Sequence, residues 1–203
     1  MSGVFICVVG PSGAGKDTLI NAARAHFASD ARFYFPQRYI SRGATPDEPH
    51  IPISEAEFER RRRANEFFLH WRAHGVAYAL GRDVDAALQA GKTVVANISR
   101  AMIGAARDAW SRTLVIHVTV DPAVLRARLE ARGRDSAEDV NARLQRGAEV
   151  EVTPAPWVRP FDNSAHVSET APRFMALIER LARERETFDE PERAVAAGVA
   201  EQA

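Results

Sequence analysis

The stretch Gly10-Pro11-Ser12-Gly13-Ala14-Gly15-Lys16-Asp17-Thr18 constrains the fold of this chain more than any other. An apolar, β-branched run at residues 4–9 precedes it, and a helix-compatible segment at residues 19–24 follows. Strand, glycine-rich turn and helix is the setting in which G-x-x-x-x-G-K reads as a phosphate-binding loop rather than a β–α turn that binds nothing. The glycines let backbone N–H groups turn inward on a polyphosphate without Cβ clashes. The helix start adds unpaired N–H groups and the positive end of its dipole. Lys16 supplies a mobile charge for the β- and γ-phosphates of a nucleotide. One residue departs from the pattern: the position after the lysine, ordinarily Ser or Thr, holds Asp17, and a hydroxyl comes only at Thr18. That hydroxyl ordinarily touches Mg²⁺, so Asp17 and Thr18 are the candidate metal residues. Asp17 has three roles open to it: holding the ion directly, holding it through water, or capping the helix.

A chain of 203 residues suits one domain with a small lobe or lid. The formal net charge is zero, which leaves no global field to draw in nucleic acid or an anionic membrane. No signal peptide is recognisable, and no apolar run approaches the ~18 residues of a membrane span. The single cysteine, Cys7, reads as a small core residue and excludes an intrachain disulfide, which fits a reducing cytoplasm. Lys16 and Lys92 are the only lysines among 27 basic residues. Base composition of the genome is one reading of that bias; a surface suited to bidentate phosphate recognition is the other.

Residues 32–40 read as an edge strand because of Pro36, and residues 41–50 as a loop. Ser54 and Glu57 make a capping box for a helix running to about residue 64. The run Arg60-Arg61-Arg62-Arg63 circles that helix instead of lining one face, so it reads as a solvated surface more readily than as a nucleic-acid contact. Residues 67–71 and 76–80 form a strand pair around His74-Gly75. A helix over 83–90 ends at Gly91, a buried strand spans 93–98, and a helix runs from Ser99 or Arg100 to residue 110. A strand over 113–120 precedes a helix opened by Asp121-Pro122 and ending near residue 132. A helix over 139–150, a short strand over 158–163, a closing helix over 172–188 and a frayed tail beyond Pro191 complete the chain. The alternation implies a parallel sheet covered on both faces, with ligands at the carboxyl ends of its strands. Residues 38–81 interrupt it as a small inserted lobe.

Two arginine groups have spacing suited to phosphate. Arg38 and Arg42 flank a strand end and either converge on one anion or stand as exposed edge charges. Arg132-Gly133-Arg134-Asp135 precedes Arg143 and Arg146, which share a helical face. These form either a salt-bridged surface helix or a lid over residues 132–146 that brings guanidiniums over transferring phosphates. Phosphoryl transfer needs positioning and charge neutralisation above all. An acceptor that is itself a phosphate has a second pKa of ~6, so it needs cations and no catalytic base. No Ser/His/Asp set or metal-ligand cluster stands out, and His50, His70 and His74 are scattered in the insert.

With these motifs the layout resembles the guanylate kinase family of nucleoside-monophosphate kinases. The match spans residues 4–178 and includes the loop, Ile40-Ser41-Arg42, Ile53-Ser54-Glu55-Ala56-Glu57-Phe58, Phe68-Leu69-His70-Trp71, Gly91-Lys92-Thr93, residues 125–133 and Asn141-Ala142-Arg143-Leu144. The resemblance implies a P-loop NTPase fold, a three-layer α/β/α sandwich over residues 1–190 with a central parallel sheet, an acceptor lobe and a lid. It also implies ATP as phosphoryl donor and Mg²⁺ as cofactor. It places Arg42 and Tyr78 at the acceptor phosphate, Arg132 and Arg143 on the lid, and Asn163 near the adenine-binding turn. The departures lie where guanine would be read: His70 stands at a base-reading glutamate, Asn97 and Ser99 replace aspartates, His50 replaces a tyrosine, and Arg38 replaces a small hydroxyl residue. A pocket without those carboxylates should reject GMP. The same combination resembles a more specific group, the ribose 1,5-bisphosphate phosphokinases, on Gly15-Lys16-Asp17-Thr18, residues 38–42, Trp71-Arg72-Ala73-His74-Gly75, Asn97-Ile98-Ser99-Arg100-Ala101 and residues 141–144. That resemblance implies a phosphorylated sugar as the small-molecule partner, held by Arg38, Arg42, Tyr78 and Arg100, with Asn97 and Ser99 on its hydroxyls. Lys16, Arg132, Arg143 and Arg146 would serve the transfer. The alternatives are a guanylate kinase and a non-catalytic binding module, the latter disfavoured by the intact loop. Assembly is open, with a homodimer compatible.

Overall fold

Val4–Val9 forms β1, and all six of its side chains are buried. A strand with no polar face has to be covered on both sides, and the computed structural model, which describes residues 2–43, 50–73, 75–131, 141, 144 and 152–184, shows how. Strands β2 (Phe33–Tyr34), β7 (Thr93–Asn97), β8 (Thr113–Thr119) and β9 (Val158–Asp162) join β1 in a five-stranded sheet ordered β2-β7-β1-β8-β9. Every pairing in it is parallel.

On one face, Val4, Ile6 and Val8 pack with Leu114, Ile116 and Val118 under helices α1 (Lys16–His26) and α6 (Val167–Arg183). On the other, Phe5, Cys7 and Val9 pack with Val94, Ala96 and Val115 against α3 (Asp83–Gln89) and α4 (Ile103–Ala109). The period-2 alternation of the strands thus builds two cores from one sheet. Burial pushes the Cys7 thiol above its ordinary range, so it behaves as a small apolar residue. A 3₁₀ turn at Arg100–Met102 leads into α4, and α5 (Pro122–Ala131) begins where Asp121 Oδ1 accepts from the Ala123 amide at 2.8 Å.

The second sheet holds β3 (Arg38–Ile40), β4 (His50–Pro52), β5 (Phe67–Ala73) and β6 (Val76–Gly81) in the order β4-β3-β6-β5. β5 and β6 form an antiparallel hairpin, and α2 (Glu55–Arg63) buries Phe58 against Phe67, Ala77 and Ala79. Phe68, Leu69, Trp71 and Leu80 belong to the same core as Phe5 and Cys7, so this sheet is seated on the main one.

Three element boundaries differ from the sequence reading. Residues 32–40 make two strands in different sheets, because the chain turns at Pro36, which cannot donate to a ladder. β4 starts on the last residue of the expected 41–50 loop and covers residues 51 and 52, to which the sequence reading gave no element; it pairs parallel with β3, a link that only distant residues can supply. The last helix starts at Val167 under a His166 cap, five residues ahead of the expected start, and so carries Pro172 inside it. Leu144 packs on Leu125 and Leu129. The remainder of the expected 139–150 helix and the tail past Pro191 lie outside the described residues.

Candidate active site

The loop between β1 and α1 turns through Gly13 and Gly15, both left-handed at φ of 88° and 82°. A Cβ on Gly15 would also stand 2.7 Å from Asn163 Nδ2, so glycine is required there twice over. Asn163 is itself buried and donates from Nδ2 to the Ala14 carbonyl at 2.7 Å. It is brought there by β9, whose end is tied to β8 through Asn163 N and Thr119 O. The sequence reading placed Asn163 with the adenine; in the fold its amide reaches the loop backbone. Lys16 Nζ donates to the carbonyls of Gly10 and Pro11 at 2.9 and 2.7 Å, which holds the ammonium against the start of the loop.

Register brings the next residues in. Val8 lies opposite Asn97, so the carboxyl end of β7 arrives beside the start of the loop. Asn97 Nδ2 donates to Asp17 Oδ1 at 2.9 Å, and Arg38 Nη2 donates to the same oxygen at 3.0 Å. The Arg38 side chain is only 12% exposed, against 39% for Asp17, so the guanidinium is committed to this junction. Its carbon lies 5.9 Å from the centroid of the Tyr78 ring, and Tyr78 stacks on Trp71 at 5.5 Å with 8° between planes. Four expected residues, Asp17, Arg38, Tyr78 and Asn97, therefore meet where the loop, the main sheet and the second sheet join.

Ser99 and Arg100 follow on the same strand end, both partly buried, and burial lowers the Arg100 pKa. Arg42 is exposed beyond the end of β3, and its carbonyl lies 3.4 Å from His50 Nε2. Thr18 is exposed on α1. Arg132, Arg143 and Arg146 lie outside the described residues. His70 is exposed, with Phe58 edge-on to its ring at 6.2 Å.

Three residues escaped the sequence reading. Asn21 and Arg24 sit one and two turns along α1 from Asp17, joined by a hydrogen bond of 2.7 Å from Arg24 Nη1 to Asn21 Oδ1, and they line the same crevice as Arg38 and Asn97. The i, i+4, i+7 spacing from Asp17 was the available signal. His117 lies opposite Val9 in register, and burial together with the Arg100 and Lys16 cations pushes its imidazole below the ordinary histidine value. Its only sequence signal was its place near the carboxyl end of a strand.

The oxygen donors fit Mg²⁺. Asp17 offers a hard carboxylate at the first turn of α1, and its Oδ2 accepts no hydrogen bond among the described residues, both of its bonds being made through Oδ1. A magnesium ion in such sites takes one or two carboxylates and completes its shell with water and substrate phosphate.

A family model described as an AAA domain matches residues 6–148. The chain is 46% identical over 144 residues to the ribose 1,5-bisphosphate phosphokinase PhnN of Rhodopseudomonas palustris, a match covering 71% of this chain and 74% of that protein. It is 40% identical over 183 residues to the PhnN protein of Rhizobium etli, covering 90% and 92% respectively. Among solved structures, guanylate kinase from Anaplasma phagocytophilum matches with a TM-score of 0.62 at 15% identity, covering 89% of this chain and 87% of that one. A gluconokinase from Sinorhizobium meliloti gives 0.53 at 17% identity, covering 93% and 98%. Likeness at such identity speaks for the fold, a P-loop α/β sandwich, and for nothing finer. The phosphate loop, the parallel sheet around it and the identity to the PhnN proteins together place this chain in the ribose 1,5-bisphosphate phosphokinase family of P-loop kinases.

Proposed function

We propose that the chain transfers the γ-phosphoryl group of ATP to the 1-phosphate of ribose 1,5-bisphosphate, giving 5-phospho-α-D-ribose 1-diphosphate and ADP, a step that serves phosphonate catabolism. The observation that carries this reading is Asp17 Oδ1 accepting from both Arg38 and Asn97, which sets a guanidinium and an amide, not base-reading carboxylates, beside the loop. Identity to relatives that bear this enzyme's name supports the same acceptor.

The chemistry asks little beyond charge and alignment. An oxygen of the 1-phosphate attacks the γ-phosphorus, the bond from that phosphorus to the β-bridging oxygen breaks, and ADP departs with the electron pair. The acceptor phosphate is already largely ionised at neutral pH, so no base is required. Lys16 and the loop amides (residues 10–18) hold the donor phosphates. Mg²⁺, bound near Asp17, would neutralise charge shared by the β- and γ-phosphates. Arg38, Arg42, Tyr78 and Arg100 hold the acceptor, and Asn97 and Ser99 reach its hydroxyls. Residues 38–81 act as the acceptor lobe. Residues 132–146 act as the lid, from which Arg132, Arg143 and Arg146 stabilise the transferring group.

Purified full-length chain, ATP and Mg²⁺ are incubated with ribose 1,5-bisphosphate or with GMP, and ADP release is followed. The expected result is turnover with the sugar bisphosphate and a much lower rate with GMP. Faster release with GMP overturns the assignment and makes the chain a guanylate kinase.

A further inference from the structure

The crevice between α1 and the turn from β2 to β3 holds more positive charge than the loop junction needs. Asp17, Asn21 and Arg24 come to it from α1, Arg38 from β3 and Asn97 from β7, over an apolar floor that includes Val95. Asp17 is its one carboxylate among the described residues, against two guanidiniums. The Arg24 pKa is lowered by burial, with Asp17 raising it and Arg38 lowering it further, so the two cations sense one another across the gap. Like charges brought together on a half-buried wall cost free energy unless an anion offsets them. Arg24 is fixed from its own helix by Asn21, and Arg38 is fixed from the far side by Asp17, which Asn97 steadies in turn. Both forks are therefore set before anything arrives, an arrangement that favours bidentate grip of a phosphate ester.

We propose that this crevice is the subsite for the ester phosphate of the acceptor that takes no part in transfer, the 5-phosphate, gripped by Arg24 and Arg38 together. The proposal rests on the acceptor being a sugar bisphosphate. Seven residues separate Asp17 from Arg24, a rise of about 10 Å along the helix. One end of the crevice therefore adjoins Lys16, where transfer occurs, and the other recedes from it, as a sugar carrying two phosphates requires. Asp17 is a positioning residue here: its Oδ1 holds and directs the Arg38 guanidinium. A nucleoside monophosphate has a single phosphate, and with it at the transfer site the Arg24 and Arg38 pair is left without a bound phosphate, so the subsite also discriminates between acceptors.

The test uses Arg24→Gln and Arg24→Lys in the full-length chain, with ribose 5-phosphate as a non-reacting probe in calorimetric titration. Loss of one charge-assisted contact predicts a rise of roughly 10- to 100-fold in both the ribose 5-phosphate Kd and the KM for ribose 1,5-bisphosphate in Arg24→Gln. The Kd for ATP and the melting temperature stay at the parent values, and Arg24→Lys recovers part of the loss. Unchanged ribose 5-phosphate affinity in Arg24→Gln overturns the subsite, even where the parent chain turns over the bisphosphate. So does a weakening that Arg24→Gln imposes equally on ATP and ribose 5-phosphate, which marks a structural role for Arg24. Parent protein that binds ribose 5-phosphate through Arg24 yet phosphorylates no ribose 1,5-bisphosphate sinks the acceptor assignment and leaves the subsite standing.

Discussion

His117 reports on the electrostatics of the cleft without belonging to the loop. Its imidazole is held below the ordinary value of 6.5 by burial, then by Arg100 and Lys16. A histidine whose folded pKa is depressed binds fewer protons folded than unfolded, so stability is intact above 6.5 and falls as pH drops through the interval down to the folded pKa. His70 shifts the same way, through burial and Arg62. The carboxylates of Glu55, Glu57, Glu59 and Glu66 are all lowered from 4.5 and titrate beneath that window. The expected outcome is a melting temperature that declines between about pH 7 and pH 5.5, with a shallower decline in His117→Gln. A variant whose slope matches the parent's refutes the coupling. At this scale the sequence made the loop and the odd Asp17 plain, since both are contiguous. It could not display Arg24 beside Arg38, because that meeting depends on α1 lying against the β2–β3 turn. Nor could it tell that Asn163 would bond to Ala14, 149 residues away.

The elements that could be read best were those whose ends carry their own chemistry. Ser54 Oγ accepts from the Glu57 amide at 3.1 Å, as the capping box foretold, and α2 starts where expected. The hairpin of β5 and β6 was readable from two strand-forming runs either side of His74-Gly75, and Gly75 takes a φ of 72° at the turn. Elements defined by a partner were not readable: β4 exists because β3 is beside it, and α6 extends ahead of Pro172 because Thr170, Ala171 and Phe174 are buried under the sheet. Packing of that amphipathic face outweighs the hydrogen bond that the proline forfeits. Capping energetics give a direct test on α2. Removing the Ser54 hydroxyl strands the Glu57 amide at the helix start, so Ser54→Ala should cost about 1 kcal/mol. In a chain of this length that is a fall of about 2–4 °C in melting temperature. Ser54→Asp, which keeps an acceptor, should restore most of it, and equal melting of Ser54→Ala and the parent removes the cap from the account.

Parallel strands around a phosphate loop could be read from the alternation alone, but the way the second sheet is seated could not. Its strands alternate like those of a free-standing lobe, and only the fold shows Phe68 standing edge-on to Phe5, with ring centroids 5.4 Å apart. Phe68 is 8% exposed and Phe5 not at all, and Leu69, Trp71 and Leu80 share their cluster with the central strand. A lobe that contributes side chains to the main core cannot melt first without opening that core to water. Unfolding in urea should therefore be one transition, with tryptophan fluorescence, which includes Trp71 on β5, coinciding with far-ultraviolet circular dichroism. Phe68→Ala should lower stability by about 3–5 kcal/mol, because a cavity opens against a ring that has little room to follow. The whole curve should move with it, since neither sheet keeps its apolar face covered alone. If the variant instead shows an early fluorescence change followed by loss of helix at the parent's urea concentration, the sheets are energetically separate.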